Sequence, residues 1–314
     1  MLRYTLRRLV WMLPPIFIVS VATFFGLNAL PGDIATLSLG ENATPEAVEQ
    51  FREQNGLDRP IVVRYFDWLG GIVRGDPGDS LKGGRPMSED IKVRLPVTLH
   101  ILFFSLFFTA FFGILFGVVA ALFQDTIIDY GIRTFAVFSD SFPNFFLLTL
   151  LLLVPAILWQ YSPPIGYEGP IWEDPWRSVR QFVPPTLLLG LGAAFLTRIT
   201  RSSMLEVLRA DFVRTARTKG LSERVVIWRH VLRNALLPIV TVLGGVFANL
   251  LGGTIILERV MTLPGLGNYT FQAVQDRDFN IVQTMTLYSA LTVMLVNLLV
   301  DLSYARIDPR IRYR

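Results

Sequence analysis

The chain has 314 residues, 52% of them hydrophobic and only 17% charged, with a formal net charge of +4 and a mean hydropathy of +0.47. Soluble domains carry about 25% charged residues, so this composition holds more apolar surface than one water-facing globule needs. The absence of cysteine excludes disulfides, thiolate catalysis and cysteine metal sites, and the two histidines, His100 and His230, lie far apart without a metal-ligand spacing.

Six apolar runs approach the roughly 20 residues that cross a bilayer. They cover residues 9–30, 98–123, 135–159, 183–200, 236–257 and 281–304. The pattern predicts an all-α polytopic membrane protein of six transmembrane helices with a small external helical region. Residues 1–30 form the N-terminus and first span, 31–97 the external region, and 98–314 a five-span core with a polar loop at 201–235. Arg3, Arg7 and Arg8 precede the first run as in a signal peptide. The run is longer than a signal's core and carries Pro14–Pro15, so it reads as an uncleaved span. Pro143 and Pro155 kink the third run, and Pro184–Pro185 open the fourth.

Charge sorts the loops into two sides. One side collects Arg3, Arg7, Arg8, Arg133, the basic stretch 198–233 and the tail arginines Arg306, Arg310, Arg312 and Arg314, for a net charge of roughly +9. The other side nets roughly −5. Short basic loops stay cytoplasmic, which places both termini and the polar loop there.

The 31–97 segment is well punctuated. Thr44 caps a helix with Pro45 at its first position, and Gly56 stops it. Asp58–Arg59–Pro60 opens another helix, with Val62, Tyr65, Phe66 and Leu69 on one face. Gly75 to Ser80 (GDPGDS) is a turn, and Pro86 to Leu95 a third short helix ending before Pro96. Gly75, Asp76, Gly78, Asp79 and Ser80 are candidates for docking an external partner. Trp172 and Trp176 mark 160–182 as an interfacial loop.

The stretch Arg209 to Pro238 reads as helix, glycine stop, helix. Asp211 is expected to cap the first helix, which runs from Phe212 to Lys219, and Gly220 to end it in the left-handed region. Ser222 is expected to cap a second helix with Val225, Trp228, Leu232 and Leu236 on one face, and Pro238 to mark the start of the next span. Gly244, Ala248 and Gly252 make two small-x-x-x-small steps in the fifth span, and Gly113 and Gly117 one in the second, which lets helices approach closely.

The chain carries no Gly-x-x-x-x-Gly-Lys-Ser/Thr cradle: its lysines are Lys82, Lys92 and Lys219, and none follows a glycine. It has neither a His-Glu-x-x-His pair nor a Gly-x-Ser-x-Gly elbow. His100, Asp140, Asn144 and Asp301 are the polar groups within or near the spans, and read more readily as packing or interfacial groups than as catalytic pairs.

Several stretches in order resemble permease subunits of bacterial ABC importers, and more closely the dipeptide/oligopeptide/nickel branch. They are LPGD (30–33), GDPGDS, RLPVTL (94–99), LTRITRSSMLEVLRADFVRTA (196–216), ARTKGLSERVVIWRHVLRNALLP, LPGLG (263–267), RDFNIVQ (277–283) and DPRIRYR (308–314). The Glu-Ala-Ala start of the general importer loop is Arg214–Thr215–Ala216 here, and Pro238 falls further from the glycine, both as in the peptide branch. The resemblance implies pairing with a homologous second permease, two ABC ATPase subunits below and an extracytoplasmic solute-binding protein above, in the lipid bilayer of a bacterial or archaeal cytoplasmic membrane, without nucleic acid. It implies that ATP and Mg sit on the ATPases, with no catalytic residue, cofactor or metal on this chain. Asp211, Phe212, Arg214, Thr215, Ala216, Arg217, Lys219, Gly220 and Leu221 would form the cytoplasmic coupling helix and loop seated on one ATPase. Relatives of this type handle peptides, nickel complexes, glutathione-like compounds and oligosaccharides. An ion-gradient-driven secondary transporter and an intramembrane enzyme are the alternatives. The first would show broken helices with ionisable groups at mid-membrane, the second paired catalytic groups.

Overall fold

The computed structural model describes residues 2–30, 32–40, 43–161, 165–166, 173–191 and 193–307, with side chains described from 5 to 303 within these ranges. Pro31, Trp172, Arg3 as a side chain, Arg306 as a side chain and the tail 308–314 lie outside the described residues. Every regular element among the described residues is helical, apart from one isolated antiparallel bridge between Asp79 and Pro86.

The helices are α1 (Leu2–Asn28), α2 (Ile34–Leu39), α3 (Pro45–Gln54), α4 (Ile61–Val73), α5 (Met87–Leu122), α6 (Ile127–Asp140), α7 (Asn144–Trp159), α8 (Pro175–Leu191), α9 (Ala194–Leu208), α10 (Asp211–Thr218), α11 (Glu223–Val225), α12 (Leu232–Val260), α13 (Leu266–Asp276) and α14 (Phe279–Ile307). A π-helical turn, Val226–Val231, joins α11 to α12. Four helical stretches are long and apolar enough to cross a membrane: Thr5–Asn28, Met87–Leu122, Glu223–Val260 and Phe279–Ser303. Two bent pairs, α6 with α7 and α8 with α9, bring the total to six when each pair counts as one span.

The prolines act differently from the expectation at two places here. Pro96 lies inside α5, so the short helix expected at 86–95 is the first turns of one 36-residue helix. Pro184–Pro185 lie inside α8, which starts at Pro175 within the expected interfacial loop. Thr186 Oγ1, just after that doublet, donates to the Phe182 carbonyl. Pro143 does break the third run. Proline disfavours the helical region for the residue before it; α6 stops at Asp140, and α7 leaves at 90°.

The chain contacts group into two compact units. One comprises Leu99–Leu263 with the segment from Val296 on, the other Leu2–Thr98 with Pro264–Leu295. In the first, α5 meets α9 at glycine. A Cβ on Gly113 would stand 2.6 Å from Leu196 Cδ2, and one on Gly117 2.4 Å from Thr200 Cβ. Gly190 of α8 serves the same purpose against Phe108 Cβ at 2.4 Å, and was not singled out from sequence. A Cβ on Gly244 would stand 3.2 Å from Asn297 and Val300 of α14, Ala248 is half-buried, and a Cβ on Gly252 would meet nothing within 4 Å.

In the second unit, α1 and α4 share an aromatic cluster of Phe24, Tyr65 and Trp68, and Ser20 Oγ lies 2.8 Å from the Tyr65 hydroxyl. The inward face of α4 is therefore Tyr65, Trp68 and Leu69. Val62 and Phe66, expected on that face, are exposed, because helical packing selected the stripe one residue on.

Candidate functional site

The polar loop is built on a short helix between two tight turns. The last carbonyls of α9, Glu206 and Val207, accept from the N–H groups of Arg209 and Ala210, and α10 begins at once. Ala210 holds the extended N-cap conformation, and its carbonyl accepts from Val213 and Arg214. Asp211 is therefore the first helical residue and makes no side-chain cap. The chain turns one residue earlier than expected, and Asp211 acts only as a first-turn acid at the positive end of the helix dipole. The C-terminus matches the expectation. Gly220 sits at φ +79°, its N–H donates to the Arg217 carbonyl at 2.9 Å, and the Leu221 N–H to the Ala216 carbonyl at 3.4 Å. These two bonds form a Schellman closure, which requires a left-handed residue at Gly220. Arg217 then grips both oxygens of Glu223 across the turn, at 2.8 and 3.2 Å.

Val213 and Ala216, three apart on one face of α10, are buried in an apolar cluster with Val118, Met204, Val226, Val231, Ala235 and Ile239. Phe212, Arg214, Thr215, Arg217, Lys219, Gly220 and Leu221 are exposed. The second helix follows the expected face only in part: Leu232 and Leu236 are half-buried and pack on the same apolar cluster. Ser222 stands at the N-cap without a side-chain bond, Val225 and Trp228 are exposed, and the buried residues are Val226, Val231, Ala235 and Ile239. The π-helical turn is the reason: its wider repeat spaces Val226 and Val231 by five residues, after which α12 resumes a spacing of four. Pro238 lies within α12, so loop and span are one helix. The result is a capped, apolar-anchored helix beside exposed Phe212, Leu221, Val225 and Trp228, the last 58% exposed.

Sequence reasoning passed over the buried carboxylate of this unit. Asp129 of α6 is fully buried and receives Arg201 Nε and Nη2 from α9 at 2.8 and 2.6 Å. Arg133 approaches the same carboxylate at 3.2 Å. The i,i+4 spacing of Asp129 and Arg133 was the available signal.

In the second unit, motifs far apart in sequence meet in pairs. The GDPGDS turn has Gly75 and Gly78 at φ +83° and +84°, and the Gly78 N–H donates to Asp76 Oδ1. Ser80 Oγ donates to Asp278 Oδ2 at 2.6 Å, and Asn280 Nδ2 to the Asp79 carbonyl at 3.2 Å. GDPGDS thus lies on RDFNIVQ. Likewise the Leu266 N–H of LPGLG donates to Thr98 Oγ1 of RLPVTL at 2.8 Å. Burial, and then the Asp90 carboxylate, push the Tyr269 hydroxyl well above its usual range, so it stays a donor to Asp90 at 3.2 Å. Of the docking candidates, Gly75, Asp76 and Asp79 are exposed and Gly78 and Ser80 half-buried, with Ser80 committed to Asp278. A cavity of about 430 Å³ beside them is lined by Asp76, Asp79, Glu53, Arg64, Trp68 and Asn280 among others.

His100, Asp140, Asn144 and Asp301 stand on α5, α6, α7 and α14, and His100 stacks on Phe182 at 5.6 Å. Among the described residues no group of three His, Cys, Asp or Glu converges as metal ligands would.

The family described as binding-protein-dependent transport system inner membrane component matches residues 113–313, and its N-terminal companion matches residues 1–102. A peptide transport system permease protein of Brucella abortus (strain 2308) is 38% identical over 309 residues, 98% of both chains. The glutathione transport system permease protein GsiC of Escherichia coli (strain K12) is 38% identical over 315 residues, the whole of both chains. Among solved structures, an inward-facing form of the MetNI methionine ABC transporter superposes with a TM-score of 0.57 at 18% identity, covering 71% of this chain and 98% of that one. That likeness supports the fold. The chain belongs to the binding-protein-dependent transport system inner membrane components and is a permease subunit of an ABC importer.

Proposed function

We infer that this permease carries peptides or related small solutes, glutathione-like compounds included, and that α10 is its contact with a partner ATPase. The peptide and glutathione permeases that match nearly the whole chain support the solute class. One observation carries the coupling role. Val213 and Ala216 anchor α10 in the core, the Gly220 closure ends it sharply, and Phe212, Leu221 and Trp228 stay exposed around it. Apolar residues exposed side by side at the end of a rigid, anchored helix fit a docking surface.

On this reading the polar loop and both termini face the cytoplasm, and the excess of basic residues in the short loops of that side supports it. ATP and Mg are held by two ATPase subunits, and this chain performs no catalysis. A second, homologous permease completes the path. Asp76 and Asp79 face an extracytoplasmic binding protein that delivers solute. Closure of the ATPases moves α10 as a rigid body and exposes the path to alternate sides.

The test is reconstitution in vesicles. Uptake should require the ATPase, ATP hydrolysis and the binding protein, and cross-links from Asp79→Cys should capture the binding protein. Uptake by this chain alone on a proton gradient would overturn the reading.

A further inference from the structure

Asp129 is the most enclosed charge beside the polar loop, and the docking role of α10 does not use it. Its Oδ1 receives Arg201 Nε at 2.8 Å and lies 3.2 Å from Arg133 Nε. Its Oδ2 receives Arg201 Nη2 at 2.6 Å and the Asp125 N–H at 3.0 Å. Asp125 holds a left-handed backbone at φ +60°, and the Arg133 guanidinium lies over the Tyr130 ring at 4.7 Å. One carboxylate therefore ties together the connection before α6, the first turns of α6 and the middle of α9.

We propose that the Asp129–Arg201 pair is the joint through which movement of α10 reaches the bent pair α6–α7, making Asp129 a positioning residue for coupled transport. The proposal rests on the reading of α10 as the ATPase contact. Only Arg209 and Ala210 separate α9 from α10, and both of their N–H groups bond to the last turn of α9. The two helices are thus joined without slack, and a push on α10 arrives at Arg201.

Elsewhere α9 meets its neighbour α5 through glycine and apolar contacts, Gly113 on Leu196 and Gly117 on Thr200, which are non-directional and can slide. The guanidinium fork on two carboxylate oxygens is directional and fixes both distance and orientation. The carboxylate holds α6 at its start, and α6 turns through 90° into α7, so a small displacement at Asp129 is levered at the far end. Stability alone is a poor reason for this pair, since a buried ion pair seldom outperforms an apolar pair of the same volume. What it supplies is a defined geometry.

The experiment measures uptake and ATP hydrolysis in the same vesicles, with the full complex of permeases, ATPases and binding protein, and reports solute moved per ATP. Asp129→Asn should lower that ratio about tenfold, within the usual range of coupling energies, while ATP hydrolysis continues. Arg201→Lys keeps the charge and loses the fork, and should fall between. The double variant Asp129→Leu/Arg201→Met guards against loss of folding. It should restore assembly and the thermal midpoint without restoring the ratio, and Arg133, 39% exposed, can turn to solvent in it. A ratio at the wild-type value in the double variant overturns the joint. Wild-type vesicles that take up solute without ATP hydrolysis overturn the reading of α10 as well, so the two failures are distinguishable.

Discussion

Gly220 and Gly56 close their helices with the same pair of backbone bonds. At Gly56 the glycine N–H donates to Glu53 and the Leu57 N–H to Arg52, at 3.2 and 2.8 Å; at Gly220 the partners are Arg217 and Ala216. The helices they end are held by opposite means. α10 drops Val213 and Ala216 into an apolar cluster, while α3 has no buried residue and is tied by Arg52 to Asp33, the N-cap of α2, at 3.3 Å. The rest of the 31–97 segment adds polar latches to the aromatic packing of α4, with Ser80 on Asp278, Asn280 on Asp79, Ser38 on Arg277 and Trp68 Nε1 on Thr284. Hydrogen bonds fix one geometry, whereas apolar contact keeps an element attached while it shifts. The polar-latched region suits a platform and the apolar-anchored helix a moving part.

The comparison breaks most visibly at Asp278. It is 2% exposed, accepts from Ser80, from the Lys82 N–H at 3.4 Å and from the Ile281 N–H at 3.3 Å, and so latches the turn and caps α14 together. Asp278→Ala should cost about 3 kcal/mol, the upper range for bonds to a charged group. Thermal unfolding in detergent reads it. A midpoint like the wild type's would show that the latch does not hold this region.

Trp228→Ala should barely move that midpoint, since the ring is exposed. Its effect belongs to assembly. A central tryptophan contributes about 2 kcal/mol to an interface, so ATPase affinity should weaken roughly thirtyfold. Unchanged affinity would remove the exposed apolar surface from the docking role.

Gly220→Val and Gly56→Val should each cost about 1–2 kcal/mol through the left-handed backbone. A Cβ at Gly220 meets nothing within 4 Å, and one at Gly56 meets only the flexible Arg59 side chain at 3.3 Å. Their stability losses should match. Only Gly220→Val should also lower transport-coupled ATP hydrolysis; equal loss in both would cancel the distinction between moving part and platform.

Local chemistry was legible in the sequence. Thr44 accepts from the Ala47 N–H with Pro45 behind it, and Gly56 and Gly220 are left-handed, because caps and stops depend on a handful of neighbouring residues. The family motifs were legible as strings but not as pairs: Ser80 and Asp278 lie 198 residues apart, and no periodicity joins them. Val225 and Trp228 were misread because a π-helical turn breaks the 3.6-residue repeat on which the expectation rests. The 86–95 helix was cut short because Pro96 reads as a stop, although α5 runs through it. Asp129 stayed hidden because its principal partner, Arg201, sits 72 residues on.

The smallest expected effect is at the surface pairs, where both regions offer an example. Arg217–Glu223 makes two bonds across the Gly220 turn, with side chains 42% and 59% exposed. Arg59–Asp67 makes one bond at 2.9 Å, with side chains 58% and 59% exposed. Solvent and salt screen both, so each should contribute under about 1 kcal/mol. A double-mutant cycle on each pair should still rank Arg217–Glu223 higher, because its fork is bidentate and closes the shorter loop, six residues against eight. The coupling should shrink between low salt and about 1 M salt, where the screening length falls to about 3 Å. Glu223→Gln should leave transport intact, since the backbone bonds at Gly220 and Leu221 already close the turn. A loss of transport with unchanged stability would mean that the carboxylate itself, and not the turn it spans, meets the partner.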